Sequence, residues 1–335
     1  MSVDYHVHLE EGLYSFRWLE RTSQALDFFA NPGVLKKGSK EHAVWQTKML
    51  QTRLSGGCYG EEWLDLYLAH AKQLGLKEVG IVDHLYRFKE TRDYFREYIL
   101  MDENDPIGKL QLDWLDKVMT EEMVDFVRVI TGAKKRWSSE GVELRLGIEA
   151  DYFVGGEEQL ANLLDQYPWD FVIGSVHFID GWGFDNPQTA YVFESTNKEA
   201  LYDRFFETVE QAIRSGLFDF IAHLDNLKVF GFRVEDEAFN RMWYERIATA
   251  LVEMDTATEV NSGLSYRYPV KEMCPGPDFL KILVARGVEF TVSSDAHFPD
   301  DLGKYAQQNV GILRDLGVDR LVTFQNRQRI FRPIK

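Results

Sequence analysis

Seven short apolar runs alternating with amphipathic stretches constrain this chain more than any other feature. The runs are 3–8, 78–83, 142–149, 171–176, 218–223, 258–261 and 288–293. Each is rich in β-branched or aromatic residues and gives way to polar residues or Gly, as a strand buried on both faces does. Helical patterns at 62–74, 198–215, 235–254 and 277–286 lie between them, and Gly75, Gly216 and Gly287 follow three of these as stop signals. Strand–helix alternation predicts an α/β fold with a parallel sheet. The position of the chemistry-bearing residues then predicts closure. His6, His8, His84, Glu149, His177, His223, Asp295 and His297 fall at or just beyond the ends of six of the seven runs. An open sheet gathers its site at one switch point, whereas a closed TIM-like barrel brings every strand end to one ring.

Two segments interrupt the rhythm and are expected as insertions in strand–helix loops, roughly 10–60 and 88–141. The second reads as helical over 111–137, with apolar residues at Leu112, Leu115, Val118, Met119, Met123, Phe126 and Val127. The first is rich in aromatics and Gly and shows no clear period. Long loops on the site face of a barrel shape substrate access or decorate the periphery. With 335 residues and no internal repeat, residues 1–335 are expected to form one barrel domain.

Composition removes several function classes. The net charge of −16 opposes binding to a nucleic-acid backbone or an anionic membrane. No apolar run reaches the length of a membrane span, and no basic-then-apolar leader precedes the His-x-His at residues 6–8. Two cysteines, Cys58 and Cys274, imply no disulfide framework, so the cytoplasm is the expected compartment.

His6 and His8 alternate on one strand and therefore aim at one target. Six imidazoles with two carboxylates and no thiolate make a nitrogen/oxygen site suited to Zn, Mn or Fe. Converging from separate strands, they suit a cluster of two or three divalent ions. Such a cluster supplies a hydroxide at neutral pH. No P-loop or covalent-nucleophile motif competes with it. His70 lies mid-helix and reads as structural, and His42 lies in the first insertion.

The motifs His6-Val7-His8, Val82-Asp83-His84, Gly147-Ile148-Glu149-Ala150-Asp151, Gly174-Ser175-Val176-His177, Ala222-His223-Leu224-Asp225 and Ser294-Asp295-Ala296-His297 stand in the order of the PHP (polymerase and histidinol phosphatase) superfamily. The chain resembles its histidinol-phosphatase branch through Trp169 to Trp182, His223 to Gly231 and Asn261 to Leu264. The resemblance implies a distorted (β/α)7 barrel. It also implies one ion held by His6, His8, Glu149 and Asp295, a second held by Glu149, His177 and His223, and a third near His84 and His297. This branch often carries a further histidine soon after the His-x-His, whereas here 9–14 reads Leu-Glu-Glu-Gly-Leu-Tyr. A third ion then depends on an oxygen from Glu10, Glu11 or Tyr59.

The implied activity is that of a metal-dependent phosphatase acting on L-histidinol phosphate. The alternatives are another small phosphate ester, such as a sugar or nucleotide phosphate, and a non-catalytic regulatory module. Glu149 bridges ions in this reading, and Asp295 or His297 assists the leaving alkoxide. Arg267 matches a basic position of the family, and its planar fork suits a phosphate. Arg87 and Lys228 are further cationic candidates. Asp225 and Asp180 would either orient His223 and His177 or meet a substrate cation. Trp182 and Phe178 read as packing residues or substrate stackers.

Overall fold

The computed structural model describes residues 3–10, 12–30, 33 and 35–334. Its strands, in chain order, are β1 (Val3–His8), β2 (Glu78–Val82), β3 (Glu143–Asp151), β4 (Phe171–Ser175), β5 (Phe178–Ile179), β6 (Trp182–Gly183), β7 (Phe220–Ile221), β8 (Ala257–Asn261), β9 (Phe290–Ser293), β10 (Arg320–Gln325) and β11 (Gln328–Pro333). Seven of them pair in parallel in the order β1-β2-β3-β4-β7-β8-β9. The ring closes where Val7 bridges Ala296 and the His8 amide donates to the Ala296 carbonyl at 2.7 Å. The expected TIM-like barrel is therefore observed, with every apolar run supplying one of its strands.

Helices cover the outside of the ring. Glu61–Leu74 shows why they do: it buries Trp63, Leu64, Tyr67, Leu68 and Ala71 on one face and ends at Gly75, whose φ of 69° is free of steric cost without a Cβ. The helical stretch expected over 111–137 is two helices, Pro106–Val118 and Met123–Ser139. Between them the Glu121 backbone pairs with the chain at Arg87 and Lys89 instead of continuing the turn. Met123–Ser139 packs on β3 as an ordinary barrel helix, so the added material in this connection ends near residue 122. The first insertion holds helices Phe16–Ala30 and Lys40–Ser55, the latter capped by Ser39 accepting from the His42 amide.

The end of the barrel away from the site is plugged from inside. Phe171 lies across Gly80 and Gly147, where any Cβ would collide with its ring. Tyr5 packs at a tilt against Phe171, 5.0 Å between ring centres, donates to Glu78 Oε1 at 2.5 Å and accepts from the Phe324 amide at 2.9 Å. Phe324 belongs to the β10–β11 hairpin, which the strand–helix rhythm did not lead one to expect. A register shift between Asp4 and Val7 marks a bulge in β1. Such a bulge lets consecutive residues Tyr5 and His6 both face inward, one to the plug and one to the site.

Candidate metal centre and its cavity

Glu149, on β3, is the hub of the site. Its two oxygens face two different sets of imidazoles. Oε2 lies 2.8 Å from His84 Nδ1, 3.2 Å from His6 Nε2 and 3.3 Å from His8 Nε2. Oε1 lies 3.1 Å from His223 Nε2 and 3.5 Å from His177 Nε2. Asp295 Oδ1 is 3.8 Å from His8 Nε2, 4.0 Å from His6 Nε2 and 3.3 Å from His297 Nε2. The eight residues singled out at the run ends are thus brought together. Two of them, His223 and Asp295, have positive φ of 25° and 55°, sparsely populated conformations for non-Gly residues. Gly263 makes room for Asp295, because a Cβ there would meet Asp295 Oδ2.

The donor atoms fit a metal better than they fit one another. Tetrahedral donors about 2.1 Å from an ion lie roughly 3.4 Å apart. His6 Nε2 and His8 Nε2 are 3.0 Å apart, and both fall within 3.3 Å of Glu149 Oε2. Oε2 is nonetheless buried without a partner in hydrogen-bond geometry. Two nitrogens and an unpaired carboxylate oxygen crowded around one point have the arrangement that a metal ion would need. Donor atoms within 4.8 Å of one another form three sets: His6, His8 and Asp295; His84, Glu149 and His177; and His8, His84 and His297. The third set draws its third imidazole from His8 rather than an oxygen from the loops.

Buried carboxylates orient the rings. Asp151 Oδ1 accepts from His177 Nδ1 at 2.7 Å, which leaves the Nε2 lone pair for the site. Glu259 lies 3.2 Å from His6 Nδ1 with both oxygens and also takes the Asn261 amide at 2.8 Å and the Ser293 hydroxyl. The run-end reading passed over both. Asp151 was visible as a carboxylate two residues past Glu149. Glu259 was visible as a charge inside an apolar run, the only run with no chemistry at its end.

The charges are tightly balanced. Burial pulls the His6 pKa down, but Glu149, Glu259 and Asp295 outweigh it and hold the ring well above its ordinary value. Burial, with His84 and His297 nearby, holds His8 well below. Glu149 is kept well below the usual carboxylate range by His6 and His84 against the pull of burial. Protons and divalent cations compete for these same lone pairs.

The centre forms the floor of a cavity of about 320 Å³, with Tyr86, Trp114, Phe178 and Tyr268 among its walls. Trp114 comes from the Pro106–Val118 helix, so the second insertion shapes access to the site. From the first insertion, Leu13 reaches this cavity. Arg267 borders it with its guanidinium 3.0 Å from Asp295 Oδ1.

Arg87 and Lys228 do not line the cavity. Arg87 is fully buried, donating to the Val118 carbonyl at 3.1 Å and the Cys58 sulfur at 3.3 Å, with Asp83 at 3.7 Å. Lys228 Nζ is held by Asp225, Glu272 and the Met273 carbonyl, each at 2.7 Å. Asp225 accordingly serves Lys228 and the Gly276 amide rather than His223. Asp180 pairs with Arg204 on the surface, at 2.8 Å. Tyr59 donates to Asp83 at 2.5 Å, and Glu10 is held by Arg53 and Trp18, so the carboxylate and phenol expected near a third ion have other partners. Glu11 lies outside the described residues. Trp182 donates to Thr189 and packs on Phe193, while Phe178 lines the cavity. His70 bonds the Pro299 carbonyl at 2.6 Å and His42 bonds Asp27 at 2.8 Å, both away from the centre.

Comparison with known proteins agrees with this architecture. The family profile of the PHP domain matches residues 57–263. A protein of Deinococcus radiodurans named as a probable histidinol-phosphatase is 34% identical over 218 residues, 64% of this chain and 81% of the relative. A Clostridium acetobutylicum protein of the same name is 25% identical over 169 residues, 49% of this chain and 62% of the relative. The fold is that of a histidinol phosphate phosphatase from Lactococcus lactis, solved with zinc, L-histidinol and phosphate. The two superpose with a TM-score of 0.66 over 98% of each chain, at 16% identity. The profile match contains His84, Glu149, His177 and His223, and barrel closure adds His6, His8, Asp295 and His297 from outside it. By the extent of this match, the chain belongs to the PHP domain family.

Proposed function

We propose that this protein is a metal-dependent phosphomonoesterase whose substrate is L-histidinol phosphate, in histidine biosynthesis. The observation that carries the proposal is the division of Glu149 between His6, His8 and His84 on one oxygen and His177 and His223 on the other. A carboxylate so placed would hold an ion with each oxygen. His6, His8 and Asp295 would complete one coordination sphere and His177 and His223 the other, with His84 and His297 available to a third ion alongside His8. Zn, Mn or Fe suits this donor set. When bound, such ions acidify a water molecule and neutralise the phosphoryl oxygens.

The chain's own residues do the rest. Asp151 and Glu259 fix the tautomers of His177 and His6. Arg267, beside Asp295, meets the phosphate from the cavity side. Asp295 or His297, 3.3 Å apart at the cavity, would assist the leaving alkoxide. The substrate reading rests on the Deinococcus radiodurans relative, matched over 81% of its length. Residues 1–335 act as one unit in this reading, with the second insertion forming one wall of its cavity. The buried free thiols of Cys58 and Cys274 suit a reducing, cytoplasmic setting.

The test is a substrate panel on metal-loaded protein. L-Histidinol phosphate should show the highest kcat/KM. A preference for sugar phosphates or nucleotides would overturn the substrate, and absence of any phosphatase activity would overturn the enzyme.

A further inference from the structure

Asp185 faces the cavity from the loop that follows β6. Among the described residues it makes no hydrogen bond or ion pair, unlike the other cavity carboxylates. Glu149 and Asp295 meet imidazoles, and Asp113 has Lys117 at 3.4 Å. Half-buried, Asp185 lines the same cavity as Tyr86, His177 and Tyr268. A carboxylate lining a cavity without a partner of its own is satisfied by a cation brought to it.

The mount is rigid. Gln111 of the second insertion accepts from the Gly183 amide at 2.7 Å and donates to the Gly181 carbonyl at 2.8 Å. Phe184 is fully buried, and its amide donates to the His177 carbonyl at 3.2 Å. Asp185 is therefore tied through its neighbour to the residue that carries a proposed metal ligand. Its position relative to the centre is fixed before substrate arrives.

We propose that Asp185 selects substrates by binding the ammonium group of a phosphorylated amino alcohol. The inference rests on the phosphatase reading above and names the residue that reads the organic half of the substrate. The cavity then carries opposite charges at two places. The proposed ions and Arg267 meet the phosphate, and Asp185 meets the ammonium. Tyr86, Trp114, Phe178 and Tyr268 leave flat apolar surface for a ring such as imidazole. Opposed charges at a fixed separation discriminate more sharply than either alone.

The test uses the metal-loaded full chain and two esters that differ only in the amine, L-histidinol phosphate and 3-(imidazol-4-yl)propyl phosphate. Asp185→Asn should reduce the ratio of their kcat/KM values by about 10–100-fold, the range for a hydrogen bond to a charged group. Calorimetric binding of L-histidinol alone should weaken by a similar factor, and Asp185→Glu should recover part of both. An equal loss on the two esters would overturn the proposal by making Asp185 structural, as would no change on either. Wild-type protein that prefers L-histidinol phosphate while Asp185→Asn keeps the same preference would sink this inference alone. Wild-type protein that cleaves neither ester would sink the phosphatase reading together with it.

Discussion

Asp151 Oδ1 accepts a 2.7 Å hydrogen bond from Nδ1 of His177, and this contact decides which nitrogen of the ring faces Glu149. Removing it frees the ring to rotate and change tautomer. Asp151→Ala should weaken metal binding by roughly 10–100-fold, while Asp151→Asn, which keeps an acceptor, should lose less. Competition with a chromophoric chelator measures this directly. An unchanged metal affinity in the Ala variant would show that His177 needs no orienting partner.

Glu149 should be the costliest carboxylate to alter, because its two oxygens serve two sets of imidazoles. Glu149→Gln should lose metal and rate together, by more than the loss at Asp151. Chelation of the wild type should abolish activity, and added Zn, Mn or Fe should restore it. Elemental analysis showing wild-type metal content in the Gln variant, with full kcat, would refute the bridging role.

Arg267 and Arg87 should separate cleanly. Arg267 borders the cavity, so Arg267→Ala should cost about 1.5–3 kcal/mol of transition-state binding, with Arg267→Lys recovering only part. Arg87 is buried beside Asp83, and removing one member of a buried pair costs about 3–5 kcal/mol of stability. Arg87→Ala should therefore lower Tm sharply, with the KM of the protein that still folds near wild type. A raised KM without loss of stability would return Arg87 to the list of substrate contacts.

Gly147 is required by the plug. Gly147→Ala places a methyl group against the Phe171 ring and should destabilise the fold by at least about 1–3 kcal/mol, the range for overpacking. Phe171→Leu should lose stability alone yet relieve the Ala variant in a double-mutant cycle. Additive losses in chemical denaturation would mean that the two side chains do not meet.

The sequence by itself determined the barrel and the inventory of its centre. β1 matches its apolar run residue for residue, β2 and β4 differ from theirs only in the last residue, and all eight run-end residues converge. This was legible because strand burial and ligand chemistry are local: a run must be apolar to be buried on both faces, and a donor must be His or a carboxylate wherever it sits. What only the tertiary structure decided are relationships across the chain. The β10–β11 hairpin became a plug because Phe324 meets Tyr5, 319 residues away. Arg87 and Lys228 read as phosphate contacts by their distance along the chain from His84 and His223. Folding instead turned them toward buried acceptors, because a buried cation must be paired wherever its partners happen to lie. Asp151 and Glu259 had no role assigned until the fold set them against His177 and His6. Asp185 was one acidic residue among many until barrel closure and the second insertion left it facing a cavity with no partner among the described residues.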